Sequence, residues 1–252
     1  MRAGRRMPRV STWAAWARQG PPEPPILAAP RRAAVITAVV VALTAATFAA
    51  VADSGALVHI QRLDDSWLRL MISGRNTPVT AVAKVFNVLG LVYVTLPVRV
   101  AVGGYLGFRR RWWRLAAFGA AVFLSEILIG ALKGVYHRAR PPGSLVATSG
   151  ASFPSGHSIA ASVTVLAIVI VLVPPGGRRV AWGVAAVAFA AAMALSRAYL
   201  GAHWLSDAIA GLLLGTSCAL VAALAVDQAQ RRLRGRPAGA ASRQAVPSAD
   251  RL

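Results

Sequence analysis

The chain has 252 residues, of which 56% are hydrophobic and only 14% charged, and its mean hydropathy is positive. That mix is too apolar for a soluble domain of this size and points to an integral membrane protein. The formal net charge is +20, but the basic residues sit in clusters beside long apolar runs, so anionic lipid and topology control account for them better than a nucleic-acid partner does.

Residues 1–32 combine Arg2, Arg5, Arg6 and Arg9 with Pro21, Pro22, Pro24 and Pro25, and read as a flexible cytoplasmic tail. Apolar runs near the length of a transmembrane helix then follow at about 33–52, 78–98, 115–132, 157–173, 180–195 and 205–226. An all-α bundle of six spans, residues 33–228, is the expected fold. The first run also has signal-peptide features, an Arg-rich leader and the small residues Ala50, Val51 and Ala52, but it exceeds the usual length of an h-region. In the second run Lys84, Asn87, Gly90 and Pro97 interrupt the apolar character, and Lys84 has the reach to snorkel to the interface.

Arg31 and Arg32, the Arg99 to Arg114 loop, Arg178 with Arg179, and the cluster Arg231, Arg232, Arg234 and Arg236 fall on one side of this arrangement. By the positive-inside rule that side is cytoplasmic, with both termini inside. The segments 53–77, 133–156 and 196–204 then face out. In the first of these Trp67, Leu68, Leu70, Met71 and Ile72 beside Asp64, Asp65 and Arg69 suggest a short interfacial helix, with a packed loop as the alternative. Residues 229–252 read as a second flexible tail. The single Cys218 lies in an apolar run, where it reads as a small core residue and allows no internal disulfide.

Three clusters of reactive or cationic side chains meet span boundaries on the outer side. Lys133 and Arg140 bracket a segment stopped by Pro141 and Pro142; a compact ammonium and a planar guanidinium together suit a tetrahedral dianion. Ser155 and Gly156 stand at an expected helix N-terminus, where free backbone N–H groups attract anions, and His157 follows them. His203 and Asp207 are four apart, with Arg197 close by; on one helix face a carboxylate would fix one imidazole nitrogen and free the other to attack. Each cluster alone also has an ordinary explanation: snorkelling cations, a capping histidine, a structural His-Asp pair. Their coincidence on one side favours a shared anion site.

Taken together, Lys133 with Arg140-Pro141, then Pro154-Ser155-Gly156-His157, then Ser196-Arg197 with His203 and Asp207 resemble the pattern of the type 2 phosphatidic acid phosphatase superfamily, membrane lipid phosphatases related to vanadium haloperoxidases. The resemblance implies that Lys133, Arg140 and Arg197 clamp the phosphate, with Ser155 and the Gly156 N–H completing the cradle. It also implies that His203 is the nucleophile, Asp207 its orienting acid, and His157 the acid that protonates the leaving oxygen. No metal and no cofactor are expected, since three fixed cations stabilise equatorial charge as Mg²⁺ does elsewhere.

His137 and Arg138 occupy open positions of the first motif and read as rim residues that touch the head group. Glu126, inside the third run, is too far from Lys133 for a pair and is expected to meet an arginine of another span. The expected substrate is a lipid phosphate at the outer face of the cell membrane: a polyprenyl diphosphate, phosphatidylglycerophosphate or phosphatidic acid. A phosphotransferase would share every residue, and a non-catalytic lipid binder or transporter is the alternative from another class. The oligomeric state is left open.

Overall fold

The computed structural model describes residues 23–234, which form eight α-helices and, among the described residues, no strand. In chain order they are α1 (Pro30–Ala52), α2 (Ser54–Ser73), α3 (Thr77–Leu89), α4 (Val92–Phe108), α5 (Trp112–Val135), α6 (Gly156–Leu172), α7 (Gly177–Tyr199) and α8 (Leu205–Arg234). Four of them, α1, α5, α7 and α8, are long and apolar enough to cross a membrane. The helices α3 and α4 meet the same test as one span bent by 51°, and α6 is apolar but shorter, at 17 residues. The structure therefore departs from six uniform spans: the second run is broken.

The break falls at Gly90 and Leu91, where the chain leaves one helix and enters another. Pro97, another of the expected interruptions, lies inside α4 without ending it. Polar side chains cap three of the helix starts, those of α2, α3 and α6. Asp53 closes α1 and caps α2 by accepting from Ala56 N at 2.8 Å. Asn76 caps α3 by accepting from Val79 N at 3.0 Å. The segment expected to face out is thus a helix of 20 residues, longer than the short element expected, with Asp64 and Leu68 buried on one face.

Helix α6 is the centre of the bundle, packed against α5, α7 and α8. Two glycines let α8 approach it closely. A Cβ at Gly211 would come within 2.6 Å of Ser155 O, and one at Gly215 within 2.5 Å of Ile159 O. Cys218 is buried in the same core. Between α4 and α5, Arg99 Nη1 pairs with Glu126 Oε1 at 2.7 Å, and Arg99 Nε donates to Thr164 Oγ1 at 2.9 Å. Glu126 does meet an arginine of another helix.

The expected tails begin further out than 33 and 228. The Glu23 carboxylate accepts from Trp113 N at 3.0 Å, Ile26 is fully buried, and Leu27 N donates to Asp227 Oδ1 at 2.9 Å. Helix α8 continues to Arg234, and Gln230 Nε2 donates to Glu23 O at 2.8 Å. Residues 23–32 and 229–234 thus belong to the folded body, because buried polar partners tie them to the ends of α5 and α8. The rest of both expected tails lies outside the described residues.

Candidate active site

At the end of the bundle where α5 and α7 finish and α6 and α8 begin, the three sequence clusters converge. The last turn of α5 supplies Lys133, and the loop after it supplies Arg140. Gly156 and His157 open α6, Arg197 lies in the last turn of α7, and Asp207 lies in the first turn of α8. His203 sits in the short connection between α7 and α8, not on the helix as its spacing to Asp207 suggested.

The His203 ring is almost wholly buried and held at both nitrogens. Nδ1 is 2.7 Å from Ser152 O, and since a carbonyl only accepts, Nδ1 carries the hydrogen. The lone pair then belongs to Nε2, which faces Arg140 Nη1 at 3.2 Å. Asp207 Oδ2 stands 3.8 Å from Nδ1, beyond hydrogen-bond reach. It accepts instead from Ser152 Oγ and, at 3.0 Å, from Trp204 N. Asp207 therefore orients His203 through Ser152 and acts on it by charge. Burial pushes the His203 imidazole below its ordinary range, Asp207 pulls it back up, and Arg140 and Arg197 push it down again. The neutral ring is the form present near pH 7.

Arg140 is the most constrained of the cations. Its guanidinium donates to Ala202 O at 2.7 Å, Ser149 O at 2.7 Å, Gly150 O at 3.0 Å and Ala151 O at 3.2 Å. Lys133 Nζ reaches Ala151 O at 3.4 Å. Arg197 is buried and held by Asn87 Oδ1 of α3. Lys133, Arg197 and His203 all lie close enough to act electrostatically on His157, whose buried Nε2 has no protein partner.

Ser155 is turned into the fold, where its Oγ caps α6 and accepts from Ser158 Oγ at 2.9 Å. A Cβ at Gly156 would meet nothing within 4 Å. Neither a positive φ nor packing thus accounts for glycine there, and open space lies beside the first N–H groups of α6. Among the described residues no group of three His, Cys, Asp or Glu side chains is gathered in metal-binding proximity.

Several positions that shape the candidate site escaped the sequence reading. Asn87 and Gly90 registered only as interruptions of an apolar run, yet Asn87 holds Arg197, and Gly90 faces His157 so closely that a Cβ there would overlap the ring, lying 3.1 Å from its Cγ. Polar and small residues inside an apolar stretch were the available signal. Ser152 carried none. Arg138 is not a rim residue: its side chain is 9% exposed and points inward to Asp207 and Asp64. His137 beside it is exposed.

The chain is similar to known phosphatases and to solved membrane structures. The PAP2 superfamily model matches residues 114–231. The chain is 30% identical to phosphatidylglycerophosphatase B of Bacillus subtilis over 62% of its own length and 79% of the relative's. It is 32% identical to decaprenylphosphoryl-5-phosphoribose phosphatase of Mycobacterium tuberculosis over 43% of its length and 58% of that protein's. Among solved structures, the transmembrane PAP2-type phosphatidylglycerolphosphate phosphatase of Bacillus subtilis superposes with TM-score 0.61 at 25% identity, covering 79% of this chain and 98% of the other. LpxE of Aquifex aeolicus superposes with TM-score 0.53 at 22% identity, over 64% and 94% of the two chains.

Proposed function

The chain belongs to the PAP2 superfamily of phosphatases, and from that premise we propose that it removes phosphate from a lipid phosphate or diphosphate at the outer membrane face through a phosphohistidine on His203. The observation that carries this reading is the state of the His203 ring: Nδ1 donates to Ser152 O at 2.7 Å and Nε2 faces a cationic pocket, 3.2 Å from Arg140. An imidazole so fixed presents its lone pair to an electrophile held by Arg140, Arg197 and Lys133.

In the first step Nε2 attacks phosphorus, the bond from phosphorus to the lipid oxygen breaks, and His157 gives that oxygen a proton. In the second, His157 takes a proton from water, the water oxygen bonds to phosphorus, and the P–N bond breaks to release phosphate and restore His203. The three cations neutralise the equatorial oxygens throughout. Asp207 compensates the positive charge that His203 acquires. Open space beside Gly156 and the first N–H groups of α6 complete the cradle.

The α3–α4 pair and α6, taken as crossing elements beside α1, α5, α7 and α8, make six spans with both termini and the arginine-rich loops inside. A lipid substrate suits this placement, since its tail stays in the bilayer while its head group reaches the cations. An apolar groove of about 390 Å³, lined by Trp67, Met71, Phe86, Leu195 and Tyr199, also includes Ser196, the neighbour of Arg197. The names of the relatives make phosphatidylglycerophosphate and a polyprenyl phosphate the first substrates to try, with phosphatidic acid beside them.

The test presents these lipids to purified protein in detergent with EDTA and measures free phosphate against substrate consumed. Equal amounts are expected, with no loss to the chelator. An acid-labile, base-stable phosphoenzyme should be trapped in the wild type. In His203→Ala that adduct should vanish and the rate should drop by roughly 10³-fold or more. Persistence of phosphate release in His203→Ala overturns the mechanism.

A further inference from the structure

Helix α2 lies outside the three motifs, yet its acidic face enters the site. Asp64 is 2% exposed. Its Oδ1 accepts from Ser206 N at 2.9 Å, and its Oδ2 accepts from Ser206 Oγ at 2.6 Å and Arg138 Nη2 at 2.7 Å. The other arm of the same guanidinium, Arg138 Nη1, donates to Asp207 Oδ1 at 2.7 Å. Trp204, the residue before α8, has no side-chain acceptor to cap the helix, so Asp64 takes the Ser206 N–H from a different element. Gln61, one turn before Asp64, accepts from Arg138 Nη2 at 2.7 Å. Arg138 is therefore shared between two buried carboxylates.

We propose that Asp64 is a positioning residue of the reaction, acting through Arg138 and Ser206 to hold Asp207 in place and to keep it from being neutralised by its own arginine. The proposal rests on the phosphohistidine reading above. Asp64, Arg138 and Asp207 together carry a formal charge of −1, the complement of the positive charge that His203 gains when it bonds phosphorus. With Asp64 uncharged, Arg138 balances Asp207 alone and that complement disappears. His203 would then keep Arg140 and Arg197 as cationic neighbours, His157 as the second imidazole and Asp207 as the acid, with Lys133 acting on the same pocket beside Asp207 and His157.

The sign follows. In Asp64→Asn the local potential becomes more positive, so protonated His203 is less favoured and its titration moves down. The nucleophile must be neutral, so the acid limb of the pH profile of kcat/KM moves to lower pH, by up to about one unit for one charge removed from the buried network. The cationic transition state loses stabilisation as well, and kcat falls roughly 10-fold or more with KM nearly unchanged. Gln61→Glu keeps the acceptor on Arg138 Nη2 and adds a negative charge, so its acid limb should move to higher pH.

The experiment measures full pH profiles of phosphate release for the detergent-purified wild type, Asp64→Asn and Gln61→Glu, each checked for folding by thermal melting. Opposite displacements of the acid limb support the proposal. An acid limb unmoved in either folded variant, or moved the same way in both, overturns it. Should Asp64→Asn fail to fold, Gln61→Glu decides alone. A wild type that releases no phosphate from any lipid would instead defeat the phosphatase reading itself.

Discussion

Gly90 illustrates how one missing methyl shapes the site. Its φ of −85° is open to any residue, so its backbone asks nothing special of glycine; the space does. A Cβ there would overlap the His157 ring and stand 3.2 Å from Met193 Cε, and the ring, wedged against α3, has to swing away. Gly90→Ala is expected to lower kcat roughly 10-fold or more, the effect of misplacing a proton donor. KM and the melting temperature should change little, as checked by steady-state phosphate release and a melt in detergent. Unaltered kcat would mean that His157 has room to spare. At the same scale the motif residues Lys133, Arg140, His157, Arg197, His203 and Asp207 were legible because reactive types recur at family spacings. Asn87, Gly90, Ser152 and Asp64 were not, because each acts only through a residue distant in sequence.

At the scale of helices, the site depends on how closely α8 lies against α6. Gly211 and Gly215 bring the α8 backbone to Ser155 O and Ile159 O, so the N-terminus of α6 and the first turn of α8 are fixed relative to each other. Gly215→Leu forces these helices apart and is expected to destabilise the protein by about 1–3 kcal/mol or more, the cost of overpacking a close contact. Thermal melting of the purified variant reads this directly, and an unchanged melt would show that the contact yields. The helices themselves were mostly visible as apolar runs. The 51° break between α3 and α4 was not placed by the sequence, since Lys84, Asn87, Gly90 and Pro97 all interrupt that run and only the fold shows that α3 ends at Gly90. Pro97 sits in α4 without ending it, a position that a membrane helix tolerates when neighbours satisfy the freed carbonyl.

For the whole molecule, the arginine distribution is the basis of the proposed orientation, in which the site faces out. Thr148 is exposed near the site and Arg178 is exposed at the opposite end, while the native Cys218 is buried. In intact cells a membrane-impermeant maleimide should label Thr148→Cys and should reach Arg178→Cys only after permeabilisation. The reverse pattern would place the site on the cytoplasmic face and remove an outer-leaflet substrate from consideration.

By itself the sequence determined the class of molecule, the position of most helices and the family chemistry, because apolar length and the spacing of a few reactive types are local properties written along the chain. Only the tertiary structure decided which atom holds which. His203 bonds a loop carbonyl rather than Asp207, Arg138 turns inward, Asp64 caps a helix 142 residues away, and the folded body reaches residues 23–32 and 229–234. Those outcomes depend on which buried polar groups find partners once the helices pack, and no spacing in the chain encodes that competition.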